Sequence, residues 1–237
     1  LELMQVTFDH SKDRASNIRT FYFTPERKLD YTAGQFIELT LKHSNPDSRG
    51  QKRWFTLSSS PTQEFLSITT KWADEKQSSF KKALWKLEPG DTLEMSEAMG
   101  DFVLPKLIQT KLVFVAGGIG ITPFHSILNW LSDTGETRTI KLLHAVRNED
   151  EIIFQKTFER AGIHATTIVS DPSSAWGGER GRLDAEKIIG ITEPDEDTLI
   201  YVSGPEPMTE ALEKDLKKAG IKPAQLVLDF FPNYPSY

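Results

Sequence analysis

The apolar run Leu112–Ala116 breaks into Gly117-Gly118-Ile119-Gly120-Ile121-Thr122-Pro123, and an amphipathic stretch starts directly after it. A buried-type strand that turns on three glycines into a helix belongs to a parallel α/β arrangement. Glycines let a backbone approach a pyrophosphate closely, and the following helix turns its free N–H groups and positive end toward that anion. Thr122 suits the N-cap and Pro123 the first helical position. The spacing is not that of G-x-G-x-x-G, and on this segment alone a glycine-rich turn without a ligand is an alternative.

The pattern around this turn repeats. Buried-type strands Leu112–Ala116, Ile140–Ala145, Ala165–Val169, Leu199–Val202 and Leu226–Phe230 alternate with helices Pro123–Ser132, Glu149–Ala161, Asp184–Ile189 and Pro207–Ala219. Five strands with four crossovers predict a doubly wound, parallel five-stranded sheet. In strand order 3-2-1-4-5 the first and fourth strands are neighbours, and their carboxyl ends flank the switch point where ligands bind. Gly117–Thr122 and Ser203-Gly204-Pro205-Glu206-Pro207-Met208 are therefore expected to face each other across one crevice.

Before about Lys106 the rhythm differs. Short alternating segments, Asn17–Thr24, Gln35–Leu41, Arg53–Leu57, Phe65–Trp72 and Thr92–Ser96, are separated by turn-forming stretches such as His43–Gly50 and interrupted by one helix, Ser78–Leu87. This spacing predicts an antiparallel barrel or sandwich. The boundary falls near Pro105–Thr110, giving domains over 1–107 and 108–237. Within Arg53-Trp54-Phe55-Thr56, strand alternation puts Arg53 and Phe55 on one face, Trp54 and Thr56 on the other. A guanidinium can clamp a diphosphate, an aromatic ring can stack on a flat heterocycle, and a hydroxyl can bond a ring nitrogen. An ordinary strand with a surface Arg and a core Phe is the alternative. Ser78-Ser79 at the helix start could hold a phosphate or simply cap the helix.

Composition narrows the function classes. The 237 residues carry a formal net charge of −6, which argues against a nucleic-acid partner. There is no Cys, so the chain supplies no disulfide, no thiolate metal or cluster site and no cysteine nucleophile. No metal site is expected. No apolar run reaches the roughly 18 residues that span a bilayer, no signal peptide is visible, and a cytoplasmic monomer is expected. Position 1 is Leu, which suggests a piece of a longer protein. The acidic run Glu193–Asp197 reads as a solvated loop.

Four segments, in order, carry a resemblance to the ferredoxin–NADP reductase superfamily over essentially the whole chain. Gly34-Gln35-Phe36 and Arg53-Trp54-Phe55-Thr56 match its flavin-half motifs, Gly117–Pro123 its G-G-x-G-x-T-P phosphate loop, and Ser203–Met208 its [CS]-G-P-x-x-M segment. The resemblance implies a flavin-binding antiparallel β-barrel joined to a nicotinamide-binding α/β domain. It also implies an FAD-dependent NAD(P)H oxidoreductase, with FAD expected over FMN. By resemblance, Arg53 binds flavin phosphates, Phe55 packs on the isoalloxazine, and Thr56 bonds near flavin N5. Trp54 and Lys71 are further flavin contacts, and Ser78 or Ser79 meets the pyrophosphate. Thr122 and Ser203 lie beside the nicotinamide, with Gly117, Gly118, Gly120, Gly204, Pro205 and Met208 framing the dinucleotide. An aromatic near the C-terminus covers the flavin: Phe231, Tyr234 and Tyr237 are candidates, Phe231 the best fit, while Phe230 closes the core. The chain departs from the family in Ser203 where many relatives have Cys, in Lys76-Gln77 where a Gly often precedes the phosphate Ser, and in Glu97-Ala98-Met99-Gly100 where G-P-x-G is common.

Arg147 and Arg182 match positions that grip the 2′-phosphate of NADPH, whereas Asp171 would repel it and suits the ribose of NADH. NADPH or NADH stays open. The expected electron acceptor is a separate ferredoxin, flavodoxin or haem protein. Alternatives are a flavin or ferric reductase, or the soluble dehydrogenase part of a membrane ferric reductase or NADPH oxidase. A non-catalytic flavin-binding module would have no need of Gly117–Pro123. Lys42, Arg49, Lys52, Lys81 and Lys82 are candidates for docking an acidic partner, or simply solvate a face.

Overall fold

Strand-length apolar alternation in the first half builds one closed sheet. The computed structural model describes residues 3–73 and 77–229. Strands β1 (Leu3–Ala15), β2 (Ile18–Pro25), β3 (Phe36–Thr40), β4 (Lys52–Thr56), β5 (Leu66–Lys71) and β6 (Thr92–Ser96) pair antiparallel in the order β4-β3-β6-β1-β2-β5. The end strands meet at a bridge between Leu57 and Ile68, reinforced by Ser58 N–H donating to the Ser67 carbonyl at 2.7 Å. This closes the barrel and removes its open edges. Val6, Phe8, Phe21, Phe23, Ile37, Leu39, Leu57, Ile68 and Met95 fill it. Helix α1 (Ser79–Leu84) plugs one side with Phe80 and Leu84, both fully buried.

In the first half the strand not expected from the sequence is β1. Its first half alternates, with Met4, Val6 and Phe8 inside, but residues 9–13 are exposed. That outer half is an arm of the β1–β2 hairpin and has no core face to impose a period.

The second half follows the predicted strand order. Strands β7 (Leu112–Gly117), β8 (Ile140–Val146), β9 (Ala165–Val169), β11 (Leu199–Ser203) and β12 (Leu226–Asp229) are parallel, in the order β9-β8-β7-β11-β12. A sixth strand, β10 (Glu179–Arg180), adds two residues beside β9. It is too short and too polar to show a period. Helices α2 (Thr122–Thr134), α4 (Ala185–Thr192) and α5 (Glu206–Lys218) are the expected crossovers. The predicted helix over Glu149–Ala161 is broken: Glu149–Glu151 form a 3-10 turn, and α3 covers only Gln155–Arg160. Phe154, at φ +67, interrupts it. Its ring stacks on His125 of α2 at 3.7 Å, with the Arg14 guanidinium 5.3 Å from its centre. That tertiary contact supports a left-handed backbone that a helix cannot contain.

The two halves lock together at several points. Ser126 of α2 donates to the Ser59 carbonyl, Thr62 donates to Asp133, and Lys71 pairs with Glu151. Tyr201 donates to the Val103 carbonyl at 2.7 Å, and Arg138 grips the carbonyls of Pro105 and Leu107. The connecting segment is thus pinned from the α/β side. No helix among the described residues is long and apolar enough to cross a membrane.

Candidate active site between the two halves

A cleft of about 450 Å³ opens between the barrel and the carboxyl ends of β7 and β11. This lies within the roughly 300–1,000 Å³ usual for cofactor sites. The barrel wall is Arg53, Trp54, Phe55 and Thr56 of β4 with Arg49, Thr69, Thr70, Ala73, Gln77, Ser78 and Lys81. Ile119, Gly120, Thr122, Ser203, Gly204, Pro205 and Glu206 form the opposite wall. The crevice expected from strand order therefore exists, and the β4 motif faces it.

Close approach explains the glycines. A Cβ on Gly120 would lie 2.3 Å from the Ser203 carbonyl oxygen, and one on Gly117 would lie 2.4 Å from the Met208 side chain. A side chain at Gly204 would likewise strike Met208. The two loops are packed backbone to backbone, so Gly117, Gly204 and Met208 shape the crevice from behind. Thr122 is not the helix cap. Gly118–Ile121 form a 3-10 turn, the cap position is Ile121, and Thr122 is the first residue of α2 and lines the cleft.

On the barrel side the predicted residues divide. Arg53 and Phe55 are both buried and share Phe80 as a neighbour, with the Arg53 guanidinium 5.3 Å from that ring and Phe55 at 5.9 Å. The expected facing of these two residues is therefore found. Arg53 also donates to the carbonyls of Arg49, Gly50 and Lys52, so it organises the loop before β4 as well as lining the cleft. Trp54 is half-buried and donates to Glu38 at 3.3 Å. Ser78 caps α1, accepting from Lys81 N–H at 3.2 Å, and lines the cleft. Ser79 does not reach the cleft: its hydroxyl meets His43 Nε2 and accepts from Asp47 N–H on the other side of the helix. Lys71 also points elsewhere, toward Glu151. Gly34 and Gln35 are structural. A Cβ at Gly34 would strike the Phe102 carbonyl, and Gln35 donates to the Gly100 carbonyl at 3.0 Å.

Two residues not singled out for this site, Lys81 and Gln77, stand in it, and a third, Asp229, backs its wall. Lys81, expected on a solvated face, lines the cleft, and its Nζ donates to the Lys71 carbonyl at 2.8 Å. Burial, with Arg53 and Arg49 nearby, pushes its pKa down to about 8. Helix side chains lean toward the N-terminus, so a Lys in the first turn of α1 reaches back past Ser78; that was the available signal. Gln77 is buried with its Nε2 lacking a hydrogen-bond partner among the described residues. Asp229, in register with Ser203 across β11 and β12, accepts the Ser203 hydroxyl at 2.7 Å. Burial pushes Asp229 up to about 6 against that hydrogen bond. Of the other docking candidates, Lys42 and Lys52 pair with Glu94 and Glu38.

Arg147, Asp171 and Arg182 lie outside the cleft, exposed along the carboxyl edge of the sheet beyond β8 and β9. Asp171 N–H donates to the Arg147 carbonyl at 2.7 Å, so those two positions adjoin. Phe230, Phe231, Tyr234 and Tyr237 lie outside the described residues.

Arg49, Arg53 and Lys81 gather positive charge at one end of the cleft beside a buried amide donor and the cap of α1. That end suits a phosphate or diphosphate, and the Phe55–Thr56 segment with the glycine turn opposite suits flat rings between them. The residues present fit a flavin and a nicotinamide dinucleotide.

Comparison with known proteins agrees. The family model of the oxidoreductase NAD-binding domain matches residues 114–214. The glycine betaine monooxygenase reductase subunit of Chromohalobacter salexigens is 29% identical over 86% of this chain and 57% of its own length. The flavohemoprotein of Bacillus subtilis is 27% identical over 93% of this chain and 57% of its own. The chain thus spans little more than half of these curated relatives. A ferredoxin NADP+ reductase from Neisseria gonorrhoeae, solved with bound FAD and NADP, superposes with a TM-score of 0.79 at 20% identity, covering 97% of this chain and 98% of that one. Fold, motif order and sequence likeness together support the ferredoxin–NADP reductase-like superfamily of FAD- and NAD(P)H-binding oxidoreductases for this chain.

Proposed function

We propose that this chain takes hydride from NAD(P)H onto FAD in the cleft and passes the electrons to a separate acceptor, a ferredoxin-like, flavodoxin-like or haem protein. The observation that carries the reading is the meeting of the Arg53–Thr56 strand with Thr122 and Ser203 across one cleft, its cationic end formed by Arg49, Arg53 and Lys81. The flavin, when bound, supplies the chemistry: it accepts hydride and releases electrons singly. The protein aligns and shields. Arg53 and Lys81 draw the phosphates, Phe55 supports the ring system, and Thr56 offers a hydroxyl beside it. Opposite, the glycine turn admits the dinucleotide backbone, and Thr122 and Ser203 border the nicotinamide. The two walls bring donor and acceptor into contact, which is where the rate advantage arises. The acceptor is supported by the names of relatives, a monooxygenase reductase subunit and a flavohemoprotein. Domains over 1–107 and 108–237, holding flavin and nicotinamide respectively, belong to the same proposal.

The test is anaerobic mixing of the FAD-loaded protein with NADH and NADPH separately, following the oxidised flavin band. Rapid bleaching by one nucleotide is expected, and the preferred one reports whether Asp171 or the Arg147–Arg182 pair governs the choice. Persistence of the band with both nucleotides overturns the reading.

A further inference from the structure

His144 is a polar residue in an apolar strand. It sits fully buried on β8, in register with Ala116 of β7, and its Nε2 lies 3.0 Å from the Gly118 carbonyl oxygen. A carbonyl only accepts, so Nε2 carries the proton and the ring is the neutral Nε2–H tautomer. Nδ1 then keeps a lone pair with no hydrogen-bond partner among the described residues. Burial holds the ring's pKa down to about 4. Glu151, the carboxylate that faces it, is engaged by Lys71. An aliphatic side chain here would spare the fold a buried unsatisfied nitrogen. The imidazole is explained only by what its other nitrogen holds.

What it holds is the glycine turn. Gly118 has φ +51, and nothing lies within 4 Å of the place its Cβ would take. Crowding therefore does not dictate its conformation, while its carbonyl, at the start of the 3-10 turn, is held by His144. No peptide bond among the described residues is cis, so the Ile119 N–H points opposite to the Gly118 carbonyl. With the carbonyl drawn inward to His144, that N–H is turned away from it, and Ile119 and Gly120 line the cleft. We propose that His144 is a positioning residue for the nicotinamide dinucleotide: by anchoring the Gly118 carbonyl it presents the N–H edge of the turn to the diphosphate. This rests on the reading that Gly117–Thr122 receives a pyrophosphate.

The test compares His144→Leu, which removes the donor, with His144→Gln, whose amide can reach the same carbonyl. Binding of ADP-ribose and NAD+ to the flavin-loaded protein is titrated, and flavin reduction is followed by stopped flow. His144→Leu is expected to weaken both ligands about tenfold, the effect of one well-placed hydrogen bond. Flavin content and the limiting reduction rate should stay within about twofold, and His144→Gln should recover most of the affinity. Wild-type affinity in His144→Leu, or equal losses in both variants, overturns the proposal. If the wild-type protein binds neither ligand, the underlying site reading fails instead. Should His144→Leu not fold, 15N-histidine spectra of the wild-type protein decide. The Nε2–H tautomer, with its proton exchanging more slowly once NAD+ binds, is expected. The Nδ1–H tautomer, or exchange unchanged by NAD+, overturns it.

Discussion

Ser203 donates its hydroxyl to Asp229 at 2.7 Å, joining the carboxyl ends of β11 and β12 behind the cleft wall. The hydroxyl is thereby oriented, and the carboxyl is kept in an apolar setting. Asp229 is raised from 3.8 to about 6 by burial, so the folded state holds its proton more tightly than the unfolded chain does. This contribution to stability is fully present below pH 3.8 and is lost as pH rises through about 6. The charged carboxylate costs on the order of 3 kcal/mol at pH 7. Asp229→Asn should flatten the pH dependence of urea unfolding between those limits and raise stability at pH 7. Parallel profiles for variant and wild type would refute this.

Ser203→Ala is expected to slow flavin reduction while leaving flavin in place, since Ser203 belongs to the wall opposite β4. Stopped-flow reduction and the flavin content after gel filtration separate the two effects. Release of flavin would mean that the nicotinamide wall has been wrongly assigned.

Arg53→Ala should lower flavin affinity at least about tenfold, from loss of a charge-assisted bond worth roughly 1.5–3 kcal/mol. It should also lower the unfolding midpoint, because the carbonyls of Arg49, Gly50 and Lys52 lose their common donor. Arg53→Lys restores neither effect, as an ammonium lacks the planar fork. Normal flavin retention in Arg53→Ala would sink the phosphate assignment.

Lys81→Met separates binding from folding. Burial and the neighbouring Arg53 and Arg49 disfavour its ammonium, with the pKa pushed down to about 8, so stability from this group is lost as pH falls toward that value. The flavin-free variant should be more stable than wild type at pH 7, yet bind flavin about tenfold less tightly. Wild-type flavin affinity should decline between pH 7 and 9 while the variant's stays flat. Thermal melts and fluorescence titrations of flavin check both.

Gly120→Ala should be destabilising by about 1–3 kcal/mol, because its methyl would meet the Ser203 backbone rather than a side chain able to move. Nucleotide affinity should fall with it. An unchanged melting temperature would show that the loops can separate freely.

Much of this was legible in the sequence. The five parallel strands and their order followed from continuous apolar runs separated by amphipathic stretches. The crevice followed from two glycine-bearing turns on neighbouring strands. What was hidden depended on partners distant along the chain. The outer half of β1 has no core face, so it shows no alternation. The break at Phe154 is supported by His125 and Arg14, neither of them local. Lys81 reads as a surface charge until α1 is seen to lean it into the cleft. Asp229 reads as a strand end until its register with Ser203 is known. Thr122 has the composition of a cap, but the turn before it tightens into 3-10 geometry and moves the cap to Ile121.

The glycine contacts bear on redesign. A Cβ on Gly120 would meet the Ser203 backbone, whereas one on Gly117 or Gly204 would first meet the movable end of Met208. Gly120 is therefore the position that sets how closely the two loops approach behind the crevice. An engineer wishing to alter the choice between NADH and NADPH should leave Gly120 alone and work instead at Arg147, Asp171 and Arg182, whose exposure along the outer rim of the sheet leaves room for new side chains.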